Sequence, residues 1–330
     1  MRGTQTPKSA MLALRRQHTQ LSGVLLAAVA AATVPLASSC KTTRAAETGP
    51  YRVVNVWGGR GGADGEFAFP RALALDGRGH IYVVDKSGRI QKFTTEGEWL
   101  LTWDLPAFGK GKPDGMSCDA DRNLLVADTH YSRLLVYSPQ GKLVRSFGSY
   151  GGEPGQFVYP TGVGMDGAGN VYMCEYGGQD RVQKLDRAGD FLLQWGSRGD
   201  GPGQFQRPMN LDIDAERRIY IADSCNHRIQ VFSDGGELLQ QWGELGREPG
   251  QLQFPYDVKL DFEGNAYVTE YGNHRISKFT GDGEFVCCWG SPGTDVGQLN
   301  GPWGAVVDEG GRVYVADTGN HRVQVFGKVQ

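Results

Sequence analysis

Four markers recur six times along the chain, and their shared phase constrains the fold more than any other feature. A Trp or Phe, usually followed by glycine, stands at Trp57, Trp103, Phe147, Trp195, Trp242 and Trp289, with spacings of 46, 44, 48, 47 and 47 residues. Prolines keep the same phase at Pro70, Pro113, Pro160, Pro208, Pro255 and Pro302. An acid closes a β-rich run at Asp85, Asp128, Glu175, Asp223, Glu270 and Asp317. An arginine opens the next run at Arg89, Arg133, Arg181, Arg228, Arg275 and Arg322. A period of this length marks repeated units that each need a neighbour to bury their apolar faces.

The fourth unit shows what one repeat contains. Residues 209–214 form a short run after Pro208, where proline is tolerated because it sits at a strand start. A turn leads to the apolar run 219–223. Residues 228–232 alternate Ile229 and Val231 with Arg228 and Gln230, the period of two expected of a strand. A glycine turn then leads to 237–242. Four antiparallel strands in this span make one propeller blade. The prediction is an all-β, six-bladed β-propeller with four-stranded antiparallel blades. The 49 glycines fit the many tight turns this requires. The sixth repeat stops near Phe326, one strand short, and residues 51–57 occupy the place of a fourth strand before the first glycine loop. This N-terminal strand is expected to pair with the last repeat and close the ring.

Ahead of the repeats, Arg2, Lys8, Arg15 and Arg16 precede an apolar run over 21–36, and small residues lead to Cys40. A basic start, a short apolar middle and a small-residue cleavage region form the layout of a secretory signal. Leu36-Ala37-Ser38-Ser39-Cys40 resembles a bacterial lipobox, which implies a lipidated Cys40 and a membrane anchor. A plain cleaved signal and an uncleaved anchor are the alternatives. The expected organisation is a signal segment at 1–39, a tether at 40–50 and the propeller at 51–330, exported to the cell envelope. The whole chain carries −3, so the residues after 39 carry −7 once the four N-terminal positive charges are set aside. An acidic body opposes nonspecific nucleic-acid binding, which depends on neutralising phosphates.

The glycine loop Gly199-Asp200-Gly201-Pro202-Gly203-Gln204-Phe205, the run to Asp223 and Asn226-His227-Arg228 together resemble the NHL repeat. The Asn-His-Arg signature returns at 273–275 and 320–322. The resemblance covers 51–327 and is weakest in repeats one and two. It implies the propeller fold. RNA binding occurs among NHL domains, but export and charge oppose it here.

The residues after each proline are Arg71, Asp114, Thr161, Met209, Tyr256 and Trp303, placed where loops meet the channel. Amidating lyases of the NHL-propeller type place zinc-binding histidines at or near such positions. None of these six is His, so the resemblance does not carry that metal site over. Oxygen ligands suit calcium, which makes Asp114, Asn210, Asp257 and Glu175 the candidates for a lactonase-like site, against a leading expectation of no cofactor. His227, His274 and His321 fall at one repeat position, so they spread around the axis and read as loop-fixing residues rather than a metal ring. The six acid–arginine pairs read as links within blades, with Glu175 and Glu270 the two that reach further. Tyr131, Tyr176, Tyr256, Tyr271 and Trp303, with Arg71, Asp114, Glu175 and Glu270, are the candidate ligand-binding set. Tyr, Trp and Arg are the residue types that dominate recognition surfaces. The expected function is non-catalytic binding of a protein, peptide or glycan. The alternative is a metal-dependent propeller enzyme acting in the channel.

Overall fold

The computed structural model describes residues 49–329. The signal segment, Cys40 and most of the expected tether lie outside the described residues. Six four-stranded antiparallel sheets follow one another along the chain. The first blade comprises Pro70–Leu75, His80–Asp85, Arg89–Thr94 and Trp99–Asp104. The fourth comprises Pro208–Ile213, Ile219–Asp223, Arg228–Phe232 and Leu238–Trp242, within a residue or two of the expected boundaries. First strands of successive blades contact one another around the ring, which places them on the central axis.

Burial follows that radial order. Second and third strands are buried along their length in the third and fourth blades. Fourth strands alternate partly buried and exposed positions, as edge strands with one covered face do. Six apolar clusters fill the six junctions between neighbouring blades. Each blade therefore depends on its neighbours for both faces. Five second-strand tyrosines, Tyr82, Tyr172, Tyr220, Tyr267 and Tyr314, are among the largest fully buried side chains.

The ring closes as expected. Tyr51–Trp57 pairs antiparallel with the third strand of the sixth blade, from Tyr51 opposite Lys328 to Trp57 opposite Val323, with a bulge at Val53/Asn55. That third strand, Arg322–Lys328, runs two residues past Phe326 because the closing strand gives it a partner there. Tyr51 stacks on Trp289 of the fifth blade at 4.0 Å, and the Tyr51 and Tyr267 hydroxyls share a hydrogen bond of 2.9 Å.

Candidate functional site

The repeat markers turn out to build the loops on which the site stands. In the fourth blade, Asp223 accepts from Arg228 Nε at 2.8 Å, Asn226 Nδ2 at 2.8 Å, Gln230 Nε2 at 3.0 Å and the Gln206 backbone N–H at 2.8 Å. Arg228 in turn donates to the carbonyls of Asp200, Gly201 and Gln204 in the glycine loop. Glu175 and Glu270 do the same work. Glu175 accepts from Arg181, Gln183 and the Val158 N–H, and Glu270 from Arg275, Asn273, Ser277 and the Gln253 N–H. Both are fully buried. The longer acids do not reach the channel mouth; their extra methylene is spent inside the blade.

The three repeat histidines clasp adjacent blades. His227 Nδ1 accepts the Phe254 N–H at 3.1 Å, His274 Nδ1 the Gly301 N–H at 2.8 Å, and His321 Nδ1 the Phe69 N–H at 3.2 Å. Asp180 fills this role for Arg207, whose N–H lies 2.8 Å from Oδ1. Each clasped residue precedes a repeat proline. Phe69, Arg207 and Phe254 hold φ of 58°, 56° and 48° there, a left-handed conformation that costs energy for residues other than glycine. The clasp fixes that backbone and so fixes where the Arg207 side chain goes.

Around the channel mouth these loops bring a collar of aromatic and charged side chains together. Trp303 of the sixth blade lies 4.3 Å from the Arg71 guanidinium of the first. Arg71 Nη1 donates to Asp114 Oδ1 of the second at 2.6 Å. His130, also of the second blade, packs edge-on to Tyr159 of the third at 5.7 Å, and Tyr159 stacks on Tyr176 at 5.2 Å. Arg207 of the fourth blade sits 5.4 Å from the Tyr176 ring centre and 5.8 Å from that of Tyr256 in the fifth. Tyr256 stacks on Tyr271 at 4.5 Å and meets Trp303 at 4.8 Å, which leads back to the sixth blade. Burial pushes the Asp114 carboxyl above its usual range, against the pull of Arg71, His130 and Arg207.

Of the candidate binding residues, Arg71, Asp114, Tyr176, Tyr256, Tyr271 and Trp303 join this collar. Tyr131 stands apart, accepting the Lys110 N–H at 3.2 Å with Arg133 over its ring. Thr161 and Met209 are buried. Arg207, His130 and Tyr159 are collar members outside that candidate set. Arg207 immediately precedes Pro208, so a scan of the before-proline positions would have found it.

Further down the channel, Asn210 Nδ2 donates to Asp257 Oδ1 at 2.7 Å, the Ala305 N–H to Asp257 Oδ2 at 3.0 Å, and Lys259 Nζ lies 3.6 Å from Asp257. Burial lifts Asp257 to about 6 despite Lys259, and lifts Asp212 as well. Burial alone would lower Lys259, yet the Asp257 and Asp212 carboxylates hold it above its ordinary value. Asn210 and Asp257 meet through their hydrogen bond, whereas Asp114 is held by Arg71. Asp114 is committed to Arg71, and Asp257 to an amide, a backbone N–H and an ammonium. Among the described residues no three His, Cys, Asp or Glu side chains gather as metal ligands would.

With this geometry in hand, comparison with known proteins is specific about scaffold and diverse about chemistry. The NHL repeat profile matches residues 205–232 and 299–326. Protein brain tumor of Drosophila melanogaster is 26% identical over 82 residues, which are 24% of this chain and only 8% of that protein. A streptogramin B lyase superposes with a TM-score of 0.60 at 13% identity, covering 84% of this chain and 98% of its own. A gluconolactonase from Xanthomonas campestris gives 0.61 at 15% identity, covering 79% and 86%. An auxiliary nutrient binding protein from Bacteroides thetaiotaomicron gives 0.61 at 16%, covering 80% and 70%. Likeness at these identities is likeness of fold, and function resides in sites that the fold carries. Repeat match and blade geometry agree on one statement: the chain is a six-bladed β-propeller that carries NHL repeats.

Proposed function

We propose that this propeller is an exported, membrane-tethered binding module that engages a protein, peptide or glycan through the loop face around its channel. The observation that carries the reading is the collar of Trp303, Arg71, Asp114, His130, Tyr159, Tyr176, Arg207, Tyr256 and Tyr271. Tyr159 and Tyr271 remain more than a third exposed at its rim. Stiff aromatic side chains give contact area at low entropic cost, and together with arginine they are the composition of recognition hot spots. A nutrient-binding protein among the structural neighbours is consistent with this use of the fold.

A crosslinking pull-down from the native cell envelope, using the full chain and its Tyr271→Ala and Trp303→Ala variants, tests the reading. A defined partner captured by the wild type and lost from both variants is the expected result. The enzymatic alternative draws on the lyase and lactonase neighbours and on the buried Lys259–Asp257 pair, with the Asp212 charge acting on Lys259. A stoichiometric divalent ion in the purified protein, lost in Asp114→Ala or Asp257→Ala, would replace the binding reading with that one.

A further inference from the structure

Arg207 is the collar arginine that makes no ion-pair contact among the described residues, its charge being felt by Asp114 only from beyond contact distance. Arg71, Arg133, Arg181, Arg228, Arg275 and Arg322 each have a carboxylate within 4 Å, and Arg207 has none among the described residues. Its guanidinium is held between the Tyr176 and Tyr256 rings, and its Nε is buried without a hydrogen-bond partner. The nearby acid is already occupied: Asp180 Oδ1 accepts the Arg207 backbone N–H and Oδ2 the Gly178 N–H at 3.1 Å.

Arg207 borders a cavity of about 190 Å³ at the junction of the third and fourth blades, lined also by Tyr176, Gly178, Asp180, Arg198 and Gln206. Arg198, exposed on the glycine loop, also has no ion-pair partner among the described residues. Two guanidinium groups against one carboxylate leave the cavity with a single net positive charge. A guanidinium fixed between aromatic rings presents a planar fork of donors that fits a carboxylate. The rest of the lining mixes the polar side chains of Asp180 and Gln206 with the Tyr176 ring, Cys225 and two glycines, a mixture that fits a sugar ring, which carries hydroxyls at its edge and C–H groups on its faces.

We infer that this cavity binds the carboxylate of a sugar acid, a uronate-type residue of an acidic glycan, with Arg207 as the principal contact and Arg198 as the second. The inference rests on the binding reading above and narrows its ligand class.

Calorimetric titration of the full chain with D-glucuronate, glucose, N-acetyl-dialanine and inorganic phosphate tests it. Glucuronate is expected to bind saturably and more tightly than the other three. Arg207→Gln should weaken it about tenfold or more, the worth of one charged hydrogen-bonded contact. Arg207→Lys, which keeps the charge and loses the fork, should fall between. Should Arg207→Gln melt at a lower temperature than the wild type, Arg198→Gln at its exposed position carries the test and is expected to weaken glucuronate severalfold. Wild-type affinity in the substituted chain, or tighter binding of the neutral sugar, the peptide acid or phosphate, overturns the inference. An envelope partner lost with Tyr271→Ala but retained by Arg207→Gln would leave the proposed function standing while removing this ligand class.

Discussion

Asp223 shows how one residue serves a whole loop. Its carboxylate is fully buried and takes four donors, three from side chains and one from the backbone. Burial pushes its pKa up, while Asn226, Gln206 and Arg228 work to keep it ionised. Removing one partner of a buried pair leaves the other charge uncompensated, so Asp223→Ala should cost about 3–5 kcal/mol. Chemical denaturation of the variant measures this directly, and a loss under about 1 kcal/mol would show that water satisfies the orphaned donors. The histidine clasps add a pH dependence. Burial holds His227 below its ordinary value, and burial with the nearby Arg247 charge does so for His274. Their neutral Nδ1 atoms are acceptors, and protonation removes the acceptor. With the folded value below the unfolded one, the unfolded chain binds more protons. Their contribution is therefore complete above about pH 6.5 and is lost as the pH falls from there through the lower folded-state value. Asp180 makes the same clasp with an oxygen. His227→Asp should thus flatten part of the decline in melting temperature between neutral pH and pH 5, and an unchanged slope would show that the clasp does not titrate.

At the scale of the element, the tryptophan–glycine marker has a steric cause. Gly196 follows Trp195 with φ of 90°, and a Cβ there would lie 2.4 Å from the Phe205 ring. The chain must turn sharply out of the fourth strand while the aromatic at the end of the glycine loop packs beneath it. Gly196→Ala combines an unfavourable backbone conformation with overpacking and should cost about 2–3 kcal/mol, read as a lowered denaturation midpoint. This is why strand order, blade count and closure were legible in the sequence: tight turns, proline starts and buried pairs each demand one residue type at one phase. The collar was less legible. Tyr256, Tyr271, Trp303, Tyr176, Arg71 and Asp114 follow from position within the repeat. Arg207 stands at the before-proline position, but its direction depends on a left-handed backbone held by Asp180 from the preceding blade. Glu175 and Glu270 misled for the converse reason. An added methylene reads as reach toward the channel, whereas the third-strand arginine and the loop N–H groups hold it inside the blade.

For the molecule as a whole, each blade leans on two neighbours, so the ring is only as stable as its weakest junction. The junction most exposed to test is the one made by Tyr51–Trp57, because it joins segments from opposite ends of the repeat array. This strand supplies seven residues to the edge of the sixth blade and carries Tyr51 onto Trp289 and Trp57 onto Phe93. A chain beginning at Gly58 would leave Arg322–Lys328 as an unpaired edge, with its backbone N–H and C=O groups open to another molecule. It would also uncover Trp289 and the cluster between the first and sixth blades. The expected outcome is a lower melting temperature together with concentration-dependent self-association in light scattering. A synthetic peptide of residues 51–57 added in trans should reverse both, because it restores the register from Tyr51 opposite Lys328 to Trp57 opposite Val323. A truncated chain that stays monomeric and melts like the full one would mean that the remaining blade contacts hold the ring closed without a fourth strand in the sixth blade.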